Sequence, residues 1–254
     1  GGRYRQDKSV TYIYDIFSKK LTEVAPFTVD LLLPSGAENL NYVLYTDESP
    51  YKMQREWLDR LPFDIYSVNV HTGAKRLIGR SYRTAPKWSV NGKWAVMYDP
   101  IAQVWNKFDG ATGKVVNISD AIGYPMFMES YDKPAPAPAY GIAGWTADGN
   151  NVFLYDAYDW WKIDLTGERQ PECLTKGRKH GKSIRKMTSN IDKDVFQKDE
   201  KVIVSLWDKD TMDEGVYQLD MKGRLRKLME GNYVYTIHRF SDNHEYCVWN
   251  RQNV

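Results

Sequence analysis

Apolar and polar residues alternate along this chain in short runs broken by turn-forming residues. The clearest runs are NYVLYTD ending at Asp47, KWAVMYD ending at Asp99, NVFLYD ending at Asp156 and KVIVSLWD ending at Asp208. A period of two sends successive side chains to opposite faces of a sheet, so each run predicts a β-strand. Three of them follow an aromatic residue and a tight turn: WSVNGK from Trp88, WTADGN from Trp145 and FQKDEK from Phe196. A further copy, FSDNHE from Phe240, precedes HEYCVWN. Asn91-Gly92 and Asp148-Gly149 are strong hairpin signals, because these residues tolerate the positive φ of a type I′ turn.

A second pattern follows each strand: an apolar residue, an aromatic, then a Gly-containing turn. It reads IYSVNVHTGAK at Tyr66, VWNKFDGATGK at Trp105, WWKIDLTGER at Trp161 and VYQLDMKGR at Tyr217. IYDIFSKK at Tyr14 is a copy without the glycine. A last strand follows: RLIG, VVNIS, CLT or RKLME. The unit is strand, tight turn, strand, variable connection, strand, Gly turn, strand, and it recurs about every 40 to 56 residues, as propeller blades do. One such meander cannot cover both of its own faces, and stacking copies around an axis does. The expected fold is therefore all-β, a β-propeller of four-stranded antiparallel blades.

Full blades read at 39–79, 86–119, 143–175 and 195–230 within 1–254, taken as a single propeller domain or propeller fragment. Half blades read at 10–24, holding third and fourth strands, and at 232–249, holding first and second strands. Either the halves pair to close a five-bladed ring, or both are edges of a longer propeller. Helical periodicity is confined to YKMQREWLDRL, Tyr51 to Leu61, which predicts a short helix in a connection.

In an antiparallel meander, strands two and four end on the same side. Two insertions map to that side. One is Glu48 to Pro62, with Tyr51, Arg55 and Trp57; the other is Ala121 to Ile142, with Tyr131, Tyr140 and a Pro-Ala run that favours an extended path. Long structured loops often carry function, so these five residues are the candidate binding residues. Asp47, Asp99, Asp156 and Asp208 end on this side too. Their repeat position argues that each accepts hydrogen bonds from its own turn, rather than joining a metal or acid-base site.

Composition narrows the functions. Nine Trp and eighteen Tyr suit half-buried pleated surfaces. A net charge of +2 provides no global field for nucleic acid or an acidic membrane. The one basic run, Lys176 to Lys186, lacks interleaved stacking aromatics and reads as a solvated loop. Cys173 and Cys247 are too few for a disulfide framework and read as two buried small hydrophobes, with a single long-range bridge as the alternative. No apolar run approaches the ~20 residues of a membrane span, and the polar opening GGRYRQDK is no signal peptide.

No catalytic signature is present. There is no G-x-S-x-G, H-E-x-x-H, C-x-x-C, G-x-G-x-x-G or P-loop, and His71, His180, His238 and His244 are scattered. No catalytic residue, metal site or cofactor is expected. A five-bladed ring invites comparison with propeller glycosidases, which need carboxylates on the innermost strands. The first strands read TAPKWS, GIAGWT, DKDVFQ and TIHRFS, and only Asp192 and Asp194 lie near one of them.

GIAGWTADGNNVFLYDAYDWWKIDLTGE followed by CLTKGRK resembles the propeller of prolyl oligopeptidase and dipeptidyl peptidase IV-type serine peptidases, the S9 family, with the nearest likeness to large secreted members from Bacteroides-like bacteria. SVNGKWAVMYD and DIYSVNVHTGAKRLI fit the same pattern. The resemblance covers about residues 10 to 250 and is most specific from Tyr140 to Lys179; TolB-like propellers share the blade motifs. It implies a propeller that screens and helps bind peptide substrate for an α/β-hydrolase domain carrying Ser, Asp and His, in a periplasmic or secreted parent. That domain is not in these residues, so no catalytic residue carries over. The dipeptidyl peptidase subgroup also uses a Glu-Glu pair to hold a free amino terminus, and no adjacent glutamates occur here. The alternatives are a stand-alone TolB-like propeller that binds protein or peptide, and a five-bladed glycoside hydrolase.

Overall fold

A computed structural model describes residues 10–26, 31–37, 41–58, 60–187, 194–231, 233–241 and 246–253. GGRYRQDK, Asp192 and the turn 242–245 with His244 lie outside the described residues, as does position 59 of the segment Tyr51 to Leu61. The chain is all-β, its strands arranged in antiparallel meanders of the propeller-blade kind. It divides into two compact units, Gly1–Asn117 and Ile118–Val254.

In the first unit, β1 (Thr11–Asp15) and β2 (Lys20–Ala25) form a two-stranded sheet. A four-stranded sheet follows in chain order: β3 (Leu31–Pro34), β4 (Tyr42–Asp47), β5 (Phe63–Asn69) and β6 (Lys75–Tyr82). The next comprises β7 (Lys87–Trp88), β8 (Trp94–Asp99), β9 (Val104–Asp109) and β10 (Val115–Asn117). Strand β4 shows why stacked blades read as nearly continuous apolar runs. Val43 and Tyr45 pack with Val24, Ala25, Val68 and Val70. Leu44, on the opposite face, packs with Ile65, Tyr82, Ala95, Met97 and Phe108. Both faces are sealed, and each buried side chain of this size contributes roughly 1.5–3 kcal/mol.

The first strand of the β3–β6 sheet, Leu31–Pro34, lies ahead of the expected blade start at 39. It lacks the aromatic-and-turn signature and is recruited by packing: Leu33 joins the core beside Leu44, and its carbonyl accepts a hydrogen bond from Trp88 Nε1 at 3.1 Å. The short helix of the first insertion is a 3-10 helix, Ser49–Gln54.

In the second unit, β11 (Ile142–Thr146), β12 (Asn151–Tyr155), β13 (Trp160–Asp164) and β14 (Glu172–Cys173) form a meander. Strand β15 (Lys182–Lys186) follows, then β16 (Val195–Phe196). Strands β17 (Lys201–Asp208), β18 (Glu214–Asp220) and β19 (Leu225–Gly231) join β15 in a four-stranded sheet. Strands β20 (Tyr233–Phe240) and β21 (Cys247–Asn253) form a two-stranded sheet. Strand β16 pairs parallel with β11, Trp145 opposite Val195. Phe196 thereby enters the core with Phe153, Trp160, Ile184 and Val204.

The basic run is therefore not a solvated loop. Arg178–His180 is a 3-10 turn and Lys182–Lys186 is a strand paired with β17. A single apolar residue, Ile184, anchors that strand at 1% exposure, and the flanking cationic stems pack along the surface. The cysteines also depart from expectation: both are free and exposed. No helix among the described residues is long and apolar enough to cross a membrane.

The aspartates at the ends of second strands do cap their own turns. Asp47 Oδ1 accepts from Ser49 N, Asp99 Oδ1 from Ile101 N and Ala102 N, and Asp208 Oδ1 from Asp210 N and Thr211 N. The third strands use the same device: Asn69 Oδ1 accepts from His71 N and Thr72 N, and Asp109 Oδ1 from Ala111 N and Thr112 N. In these turns, except that of Asp47, which runs into the 3-10 helix, the residue four places after the cap takes a positive φ. It is Gly73 or Gly113 after third strands but Gln103 (58°) and Met212 (63°) after second strands. The capped turn therefore dictates the left-handed residue whether or not glycine fills it.

Candidate functional site

In the second unit, Asp156 is more than a turn cap. Its carboxylate is fully buried at the end of β12. Oδ1 accepts from Tyr158 N at 2.7 Å and Asp159 N at 2.6 Å; Oδ2 accepts from Trp161 Nε1 and Arg178 Nη2, each at 3.0 Å. Its backbone oxygen accepts from Arg185 Nη2 at 2.5 Å. Asp159, 3% exposed, accepts from Thr175 Oγ1 at 2.6 Å, Gly177 N at 2.5 Å and Arg178 N at 3.0 Å. Two buried carboxylates are tolerated because each is saturated with donors and one is paired with a cation.

Three chain segments meet here: the β12–β13 turn, the connection 174–181, and the insertion 118–141. By strand order these are second-to-third and fourth-to-first connections, all at one end of the blades. The insertion folds on itself through a bridge between Phe127 and Ala139 and bonds from Met128 N to Pro138 O and Tyr140 N to Met126 O. Buried Ile122 and Met126 anchor it.

Aromatic rings line both arginines. The Arg178 guanidinium lies 4.1 Å from the Tyr124 ring centroid and 4.8 Å from that of Tyr158, and Lys209 Nζ lies 4.1 Å from Tyr158. The Arg185 guanidinium lies 4.7 Å from the Tyr155 ring and 5.4 Å from the Tyr140 ring. Such cation–ring contacts strengthen when desolvated. Burial works against the Arg178 charge, but the hydrogen bond and charge of Asp156 outweigh it and raise the pKa. Burial prevails at Arg185 and lowers its pKa, and burial pushes the Tyr155 hydroxyl up to about 12. Neither arginine can act as an acid or base here. The cluster positions loops and presents cationic and aromatic surface.

Of the candidates named from sequence, Tyr140 enters this cluster. Its hydroxyl accepts from Glu129 N at 3.3 Å. Tyr131 lies in the same insertion, its N–H bonded to Met128 O. Tyr51, Arg55 and Trp57 belong to the other unit. Tyr51 donates to the buried Asp64 at 2.5 Å, so its role there is to pin the 3-10 helix. Arg55 lies 3.6 Å from Glu48, and Trp57 is 81% exposed. Sequence reasoning missed Tyr124, Tyr158, Asp159, Thr175, Arg178, Arg185 and Lys209. One signal was available: Asp156-x-x-Asp159 places a second acid where other repeats have none, upstream of a basic run that contains no acid. Among the described residues, no group of three or more His, Cys, Asp and Glu is placed to hold a metal ion.

No family model matches the chain, and no curated protein matches it. Solved structures do resemble it. A putative dipeptidyl aminopeptidase IV from Bacteroides ovatus matches with a TM-score of 0.48 and 12% identity, over 97% of this chain and 43% of that one. Porphyromonas gingivalis dipeptidyl peptidase 4 matches at 0.47 and 13%, over 95% and 39%. A putative TolB from Agrobacterium tumefaciens matches at 0.40 and 14%, over 88% and 76%. This chain spans less than half the length of either peptidase.

Proposed function

We propose that this chain is the non-catalytic propeller of an S9-type serine peptidase, periplasmic or secreted, which docks and screens peptide for an α/β-hydrolase domain outside these residues. The observation that carries the reading is a coincidence of sequence and geometry. The stretch Tyr140 to Lys179, on which the resemblance to that family is most specific, is the one that builds the Asp156 hub. That hub holds an aromatic-rich insertion rigidly at the end of the blades. Rigid loops carrying Tyr side chains present contact area at low entropic cost, as peptide docking requires.

The gene and the protein supply the test. The reading frame containing this chain should also encode a G-x-S-x-G segment between a strand and a helix; a frame without one sinks the proposal. The purified chain should bind unstructured peptides without cleaving them. Deletion of 131–138 or Trp57→Ala should weaken that binding, and undiminished binding in both variants would remove the insert-bearing ends as the docking surface.

A further inference from the structure

The chemistry of the Asp156 hub leaves two cations with donors to spare. Arg178 gives one hydrogen bond to Asp156, while its Nε is buried with no partner among the described residues. Lys209 is exposed, held over the Tyr158 ring, and has no carboxylate partner among the described residues. The exposed Asp210 carboxylate approaches Gly181, and the other nearby acids are committed elsewhere. Asp156 and Asp159 are saturated, and Asp208 caps its own turn and lies 3.9 Å from Lys182. Beside the two cations stand Tyr158, half-buried, and Tyr124, 47% exposed, so the donors flank a partly open aromatic surface. A cation seated on a ring rather than on an acid remains available to an anion. The exposed Glu129 of the insertion lies near enough for its charge to favour the charged form of Arg178, yet no hydrogen bond joins the two.

We propose that the Tyr124–Arg178–Tyr158–Lys209 ladder is a specificity subsite that receives an acidic side chain of a docked peptide. The carboxylate meets the exposed Lys209 Nζ at the end of the ladder, in the field of Arg178, and the neighbouring peptide backbone or side chain lies on the tyrosine rings. This rests on the reading of the chain as a peptide-docking propeller.

The test uses the full chain and three fluorescently labelled, N-acetylated peptides of one length, differing only in a central Glu, Gln or Lys, with binding read by fluorescence polarisation. The Glu peptide is expected to bind about fivefold tighter than the Gln peptide and the Lys peptide weakest, with the preference shrinking as salt rises. Lys209→Ala should remove most of the Glu preference. Lys209→Glu should reverse it in favour of the Lys peptide. Lys209 lies outside the buried hub, so both variants leave the folding core intact, whereas Arg178→Ala unpairs a buried acid. Equal binding of all three peptides would overturn the acidic subsite and leave peptide docking standing. Absence of binding by every peptide would overturn both. A Glu preference unchanged in Lys209→Glu would place the acid elsewhere and overturn the assignment.

Discussion

Asp156 and Arg178 lie 3.0 Å apart although 22 residues separate them in the chain, the carboxylate fully buried and the guanidinium side chain 26% exposed. The pair joins the β12–β13 turn to the connection that follows β14. Removing one member of a buried pair leaves the other uncompensated, and the two members are not equivalent. Asp156→Ala strands four donors, two of them backbone N–H groups of the turn. Arg178→Met leaves a carboxylate that still accepts from three. Asp156→Ala should cost about 3 kcal/mol or more, and Arg178→Met clearly less, measured by urea denaturation. Equal costs would mean that the ion pair, and not the capped turn, dominates the hub.

The capped turns lead to an opposite pair of effects. Asp109→Ala removes the acceptor of two backbone donors and should cost about 1 kcal/mol. Gln103 takes the left-handed conformation that glycine takes at Gly73 and Gly113. Gln103→Gly should therefore be neutral or stabilising by up to about 1 kcal/mol, although glycine in most positions destabilises. A thermal melt of each variant decides this. A loss of stability in Gln103→Gly would mean that its side chain makes a compensating contact.

Strand alternation, glycine turns and capping aspartates were readable because each is local: cause and effect lie within about six residues. Strand β15 was hidden because its one buried apolar residue, Ile184, sits among lysines and arginines, and the burial of Arg185 and Lys186 depends on partners distant in the chain. Strand β3 was hidden because it has no turn signature of its own. The Asp156 hub was half visible. Its capping role followed from repeat position, but its bonds to Arg178 and Arg185 span 22 and 29 residues, and no local pattern encodes such distances. The aromatic partners of the arginines were unreadable for the same reason.

The capping carboxylates couple stability to acid pH. Hydrogen bonds from Thr146 and Asn150 hold Asp148 below its ordinary value of 3.8, and the backbone N–H groups of Asp210 and Thr211 do the same for Asp208. A carboxylate whose pKa is lower folded than unfolded contributes stability that is fully present above the unfolded value. That contribution is lost as pH falls through the folded value. The unfolding midpoint in urea should therefore hold steady from neutral pH down to about 5 and fall below about 4. Asp148→Asn should flatten part of that fall. If wild type and variant decline in parallel through this range, Asp148 does not contribute to this coupling.

Cys173 is exposed as a residue, yet its sulfur is turned toward the hub and donates to Thr175 O at 2.9 Å. Partial burial of the thiol, and then the negative charges of Asp159 and Asp156, push its pKa up to about 12. Only the thiolate attacks alkylating agents, so exposure alone does not make this cysteine reactive. Iodoacetamide at pH 8 should modify Cys173 in the folded chain far more slowly than in the chain unfolded in urea, read by mass spectrometry of the peptide that contains it. Asp156→Asn removes one of the repelling charges and is expected to speed the folded-state reaction without exposing more of the sulfur. Equal rates in the folded and unfolded chain would show that Cys173 is free of the hub's field, and would contradict the placement of Asp156 and Asp159 beside it.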